Sequence, residues 1–252
     1  MSSSQRVHSS SPVLLEVSGL HVAYDKAEVV HGVDFRVHEG EFVVLLGRNG
    51  AGKSTMLHAA AGLIPKKAGK VIFAGQDITR TNTRSIAQQG LVSVLEGHRV
   101  FTSLTVEDNL LLGTYAKNPH GDRSRLESVY ELFPEIGERR QQLASRLSGG
   151  QQQILAVAQG IIGDPKLLIL DEPSGGLAPL VVHRILAVAK DLTDRGVAIL
   201  LVEQLVKEAL QVADYCYLVE AGTIGGEGTA EEIKNSELIR RIYLGGAREA
   251  AA

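Results

Sequence analysis

Three short stretches carry residue types able to do phosphate chemistry. In "GRNGAGKST", Gly47 to Thr55, a glycine, four residues and then Gly-Lys-Ser follow the apolar run "EFVVLL". Glycines let successive backbone N–H groups converge on phosphate oxygens, and a helix starting here would add its positive end. Gly47, Asn49, Gly50, Ala51, Gly52 and Thr55 are the expected cradle; Lys53 would reach the β- and γ-phosphates, and the hydroxyl of Ser54 would ligate Mg²⁺. In "LLILDEP" a buried strand would deliver Asp171 and Glu172 at its C-terminal end, where ligands of open α/β sheets bind. Asp171 could hold Mg²⁺ through its water shell, and Glu172 could polarise a water for in-line attack on a γ-phosphate. In "LSGGQQQILAVAQG", Ser148 can cap a helix whose first turn holds Gly149 and Gly150, which makes a second phosphate-binding helix end.

The surrounding pattern must position these groups. "LLEVSGLHVAY" and "VDFRVHEGEFVVLLG" read as strands, and the second leads into the phosphate loop. A helix is expected from Gly52 to about Ala61, then a strand at "GKVIFAG", a short helix at "RSIAQQG" and a strand at "LVSVL". From about Thr105 to Leu143 the pattern turns helical: "TVEDNLLLGTY" opens on a Thr N-cap with acidic first-turn residues, and "SRLESVYELF" has apolar groups at helical spacing. Alternation resumes with "KLLILDEP", a helix from Pro179 to Thr193, "VAILLVE", a helix from Leu205 to Val212, and "YCYLVEAG". Interleaving of this kind predicts a parallel sheet with helices on both faces.

Composition bounds the rest. With 252 residues and a formal charge of −3, the chain can bury a large core and has no global positive field for nucleic acid. Cys216, the single cysteine, lies in an apolar run and reads as a packed thiol. Apolar runs fall far short of a membrane span. Residues 1–12 are Ser-rich and read as a disordered leader, 13–245 as a single domain with a helical insert at about 97–160, and 246–252 as a short tail.

With "GRNGAGKST", "LSGGQ" and "LLILDEP" in this order, the sequence resembles the ATP-binding cassette (ABC) ATPases over nearly everything after the leader. That resemblance implies an α/β P-loop NTPase (RecA-like) fold: a parallel-sheet core, an N-terminal antiparallel β subdomain and an inserted α-helical signature subdomain. It implies ATP and Mg²⁺ as ligands. It also implies a head-to-tail pair with a second ABC ATPase, identical or different, in which Ser148, Gly149 and Gly150 touch ATP bound to the partner. Tyr24 falls where the family stacks an aromatic on adenine. Glu96 stands where the family has a Gln that meets Mg²⁺ and couples to the membrane subunit, Ala178 where it has Asp, and Gln204 where a switch His orients the γ-phosphate and attacking water. Gln204 can donate an amide hydrogen bond but cannot become cationic, so turnover is expected to be slow.

Within the family, "EGHRVF", "LTVEDNL", "LDEPSGGLAP", "LLVEQ" and the ending "IRRIYLGG" resemble the shorter ATPase of branched-chain amino acid uptake. The related urea-uptake ATPase usually keeps Gln in the coupling loop. The resemblance implies a peripheral protein on the cytoplasmic face of the membrane, transmembrane permease subunits docked around Glu96 to Phe101, and an indirect link to an extracytoplasmic solute-binding protein. Soluble ABC proteins of DNA repair or translation need two cassettes in one chain or a long coiled-coil insertion, and only 51 residues separate Glu96 from Ser148. A nucleotide-gated module that does not hydrolyse ATP would fit Gln204 and Ala178, but Glu172 speaks for hydrolysis. A kinase would have no use for the Ser148 helix.

Overall fold

The computed structural model describes residues 11–97, 100–236 and 239. The expected leader up to residue 10, the tail and most of "IRRIYLGG" lie outside them, as do His98 and Arg99 of the expected docking loop. Ser11 and Pro12 are tied to the body: the Pro12 carbonyl accepts from the Glu39 N–H at 3.0 Å, and the Ser11 carbonyl lies 2.7 Å from His38 Nδ1.

In chain order the elements are β1 (Val13–Tyr24), β2 (Ala27–His38), β3 (Phe42–Leu46), α1 (Lys53–Ala60), β4 (Ala68–Phe73), β5 (Gln76–Asp77), α2 (Thr83–Gln89) and β6 (Leu91–Val94). They continue with α3 (Val106–Thr114), α4 (Leu126–Leu132), α5 (Pro134–Gly137), a 3₁₀ turn (Ala144–Arg146), α6 (Gly149–Ile162), β7 (Leu167–Asp171) and α7 (Pro179–Asp194). The last are β8 (Ala198–Glu203), α8 (Val206–Val212), β9 (Tyr215–Glu220), β10 (Thr223–Thr229) and α9 (Ala230–Asn235).

The strands form two sheets. One is antiparallel, in the order β2-β1-β4-β5; the other runs β10-β9-β3-β8-β7-β6, and its pairings are parallel except β10 with β9. Strands β3, β7 and β8 are buried at every residue because both faces of this sheet are covered, so each reads as an unbroken apolar run. Alternate residues serve the two faces. Phe42, Val44 and Leu46 of β3 join one core with Leu168 and Leu170 of β7 and the helices α3 to α9. Val43 and Leu45 join the other with Ile169, the residues Met56 and Leu57 of α1, and the antiparallel sheet. Burying each such aliphatic side chain contributes about 1.5–3 kcal/mol.

Helices lie on both faces of the parallel sheet as expected, but unequally: α3 to α9 cover one face, while on the other α1 and Ile86 of α2 share the cover with the antiparallel sheet, whose half-buried face comes from the apolar alternation of β1 and β2. Strand β10 was not foreseen, because "TIGGEGT" is Gly-rich and has almost no apolar alternation; it is held as an edge by pairing with β9. Helix ends differ by a residue, with α8 starting at Val206 and α7 running to Asp194.

The helical insert forms for local reasons. The Thr105 hydroxyl accepts from the Asp108 N–H at 3.0 Å and starts α3, with Glu107 and Asp108 in the positive first turn. Fully buried Asn109 accepts from the Phe101 N–H at 2.8 Å and donates to the Phe101 and Thr105 carbonyls at 3.0 and 2.8 Å. This ties the preceding loop to the helix.

Candidate ATP site

The end of β3 delivers the phosphate loop to the C-terminal edge of the parallel sheet, between β8 and β9. Gly47 is buried, and a Cβ added there would lie 2.4 Å from the Val219 carbonyl of β9, so the loop's entry tolerates no side chain. Gly52 caps α1 with φ of 100° and no side-chain cap bond. By contrast α2, α3, α6 and α9 have caps from Asn82, Thr105, Ser148 and Thr229. The bare N–H groups and positive end of α1 therefore face the loop without a side-chain acceptor, which suits an anion. Asn49 and Gly50 are exposed on the rim, Ala51 is buried beneath, and Thr55 is half-buried in the first turn.

Lys53 is only 3% exposed, and its ammonium is held over the loop. Nζ donates to the carbonyls of Gly47 and Arg48 at 3.0 and 3.1 Å and lies 3.4 Å from Glu172 Oε1. The Ser54 hydroxyl donates to Asp171 Oδ1 at 2.7 Å. Strand β7, one place beyond β8 in the sheet, thus brings its terminal carboxylate onto the first turn of α1. The donor set is oxygen from one hydroxyl and one buried carboxylate, which suits Mg²⁺ completed by phosphate and water oxygens. His58 Nε2 stands 2.9 Å from Asp171 Oδ2 but at an angle that makes no hydrogen bond.

Glu172 breaks from the strand at φ 45°, in the left-handed region that costs a non-glycine residue about 1–2 kcal/mol. Its N–H donates to the Val202 carbonyl at 3.0 Å. Its carboxylate lies between two partners: Lys53 on Oε1, and on Oε2 the Gln204 amide, whose Nε2 donates at 2.5 Å. Gln204 follows β8, so adjacent strands deliver the two side chains at the same sheet edge. Lys53, Ser54, Asp171, Glu172 and Gln204, from three separate stretches, are one constellation.

Other expected residues stand elsewhere. Tyr24 is 50% exposed at the tip of the β1–β2 hairpin and so is not core. The hairpin abuts the loop, since a Cβ on Gly52 would lie 3.3 Å from the Val29 carbonyl of β2. Glu96 is exposed in the turn after β6, which pairs in parallel with β7 (Val94 beside Leu170) and so leaves the sheet at the same edge as Asp171 and Glu172. Among the described residues no group of three or more His, Cys, Asp or Glu is placed to hold a metal. Ser148 caps α6 reciprocally: its hydroxyl accepts from the Gln151 N–H at 3.3 Å and its N–H donates to Gln151 Oε1 at 3.1 Å. Gly149 is exposed and Gly150 partly so. Helix α6 packs in the core opposite that of α1, so the two helices whose N-terminal ends are the candidate phosphate-binding ends lie on opposite faces of one sheet. Ala178 is the N-cap of α7 and supplies no side-chain cap.

One residue escaped sequence reasoning. Glu203, 1% exposed, ends β8 and accepts three backbone N–H bonds, from Ser174 at 3.2 Å, Gln204 at 2.8 Å and Leu205 at 3.2 Å. The available signal was a carboxylate closing the apolar run "AILLVE", parallel to the Asp that closes "LLILD".

Comparison with known proteins identifies the family and the fold. The ABC transporter family model matches residues 30–175. The chain is 37% identical to the high-affinity branched-chain amino acid transport ATP-binding protein of Pseudomonas aeruginosa, over 92% of this chain and 100% of that protein. It is 34% identical to the lipopolysaccharide export system ATP-binding protein of Haemophilus influenzae, over 92% and 97%. Among solved structures, a nucleotide-free ATP-binding cassette from an ABC transporter superposes with a TM-score of 0.82 at 25% identity, covering 92% of this chain and 97% of that one. With its phosphate loop, strand-end carboxylates and capped LSGGQ helix on this fold, the chain belongs to the ABC transporter family and is one of its ATPases.

Proposed function

We propose that this ATPase drives an importer of branched-chain amino acids, with Glu172 as the general base of hydrolysis. The observation that carries the catalytic reading is the Glu172 carboxylate, held at 2.5 Å by the Gln204 amide and at 3.4 Å by Lys53. The amide fixes Oε2, leaving Oε1 to take a proton from an attacking water once phosphate oxygens draw Lys53 away. Gln204 orients and donates, and Glu172 alone changes protonation. Ser54 and Asp171 would hold Mg²⁺, which when bound neutralises charge on the β- and γ-phosphate oxygens. Tyr24, exposed on the β1–β2 hairpin whose Val29 abuts Gly52, is the proposed platform for adenine.

The placement of α1 and α6 on opposite sheet faces supports a head-to-tail pair. In this reading the Ser148 end of one chain closes over a partner's phosphate loop, and the N–H groups of exposed Gly149 and partly buried Gly150 serve the partner's ATP. Docking to the permease is assigned to the groove of about 310 Å³ between β6 and the helices α3 and α6, lined by Val92, Val94, Leu95, Ala116, Ala156 and Gln159. Phe101, 56% exposed, stands on the adjoining loop. No described helix is long and apolar enough to cross a membrane. In this proposal the chain is held to the permease, at the cytoplasmic face of the membrane, through this groove.

Support for the cargo comes from the relative at 37% identity, while the lipopolysaccharide export relative at 34% marks the competing direction of transport. Steady-state ATPase of the wild type and Glu172→Gln, with partner subunits present, tests the base; equal rates would remove Glu172 from the mechanism. ATP-dependent uptake of labelled leucine and of urea into vesicles carrying the assembled transporter tests the cargo. Leucine uptake that vanishes with Glu172→Gln is the expected result, and urea uptake without leucine uptake would overturn it.

A further inference from the structure

Glu172 and Gln204 lie on separate loops, leaving β7 and β8, and their hydrogen bond needs those loops in fixed register. A third carboxylate spans the gap. Glu203 is buried, and the bonds it receives are from backbone: Oε1 from the Ser174 N–H on the β7 side, Oε2 from the Gln204 and Leu205 N–H groups on the β8 side. A charge taken out of water at the end of an apolar strand is costly unless hydrogen-bonded, and an apolar residue would continue the run "AILLV" without that cost. Three converging N–H groups compensate it. Two of its three donors belong to, or directly follow, the residue whose side chain meets Glu172. The third sits two residues beyond Glu172, in a turn where the Gly175 N–H donates to the Glu172 carbonyl at 3.3 Å and the Leu177 N–H to the Ser174 carbonyl at 3.0 Å.

We propose that Glu203 is a positioning residue for ATP hydrolysis: its buried carboxylate ties the Ser174 turn to the Gln204 turn and thereby fixes the hydrogen bond between Gln204 and Glu172. It does not touch nucleotide. The inference rests on the roles proposed above for Glu172 and Gln204.

The test is a double-mutant cycle in the full-length chain with its partner subunits. Glu203→Gln keeps the side chain's shape but turns an NH₂ group toward backbone N–H donors, so one side of the tie is lost. The expected result is a fall in kcat of about 10- to 100-fold, the order that a misplacement near 1 Å costs, with KM for ATP within about twofold. In a Gln204→Ala background the same change should lower kcat by less than about twofold, because the bond it acts through is already gone. An equal fall in both backgrounds, or an unchanged kcat with a raised KM, would overturn the proposal. Wild-type rates in Glu172→Gln and Gln204→Ala alone would instead overturn the dyad beneath it. Should Glu203→Gln fail to fold, Glu203→Asp, which keeps the charge and draws it back by one methylene, is taken through the same cycle and judged by the same criteria.

Discussion

Replacing Gly47 with alanine is the sharpest perturbation of the phosphate loop. The new Cβ would lie 2.4 Å from the Val219 carbonyl, and ordinary contact begins near 3.4 Å, so the loop or β9 must move by about 1 Å. Strand β9 pairs with β3 on one side and β10 on the other and is buried nearly throughout, so the loop is the part that yields. The Gly47 and Arg48 carbonyls hold Lys53 at 3.0 and 3.1 Å, and they would carry its ammonium with them. A displacement of this size next to the reacting groups costs on the order of 100-fold in rate, about 2.7 kcal/mol of transition-state stabilisation. Overpacking adds a stability loss of about 1–3 kcal/mol. The assay is kcat and KM for ATP together with Tm, with Gly50→Ala as comparison. At Gly50 the added Cβ meets nothing within 4 Å, and only its φ of 76° resists substitution. A Gly47→Ala chain that keeps kcat/KM within about twofold of wild type while losing stability would show that β9 moves instead, and would refute the reasoning.

Further outcomes follow from other sites. Ala178 caps α7 without a side-chain acceptor, so Ala178→Asp should stabilise the chain by about 0.5–2 kcal/mol; an unchanged or lower Tm would contradict this. Burial pushes the Glu41 carboxyl above its ordinary value of 4.5, although the His38 N–H donates to it at 2.8 Å. Between 4.5 and that higher folded value the native state holds a proton the unfolded chain has lost, so stability falls as pH rises through this window. Glu41→Gln should therefore gain in Tm relative to wild type above the window and not below it, and a gap independent of pH would refute the assignment. The Cys216 thiol is buried and pushed up to about 12, so native protein should resist alkylation at pH 8 and react only on unfolding. Rapid labelling of folded protein would place that thiol elsewhere.

Much of the site was legible because local chemistry wrote it. A glycine-bounded loop ending in Lys53 and Ser54, a serine starting "LSGGQ" and an apolar strand ending in Asp171 and Glu172 each need a particular backbone, and their neighbours in sequence supply it. The Ser148 and Thr105 caps are hydrogen bonds within one turn, so residue type and spacing were enough to foresee them. Strand β10 was hidden for the opposite reason: the glycines of "TIGGEGT" outweigh its Thr and Ile until β9 offers its edge.

What tertiary structure alone decided is which separate segments meet. Strand order places β7 and β8 side by side, and only then do Gln204 and Glu172 come within 2.5 Å and Glu203 span from one loop to the other. The same packing puts α1 and α6 in opposite cores, separating two candidate phosphate-binding helices that the sequence shows only as two motifs. Side chains within a turn or strand are related by the backbone's own period, which a sequence records directly. Contacts between residues far apart in the chain arise when apolar faces are buried together, and that choice belongs to the whole chain.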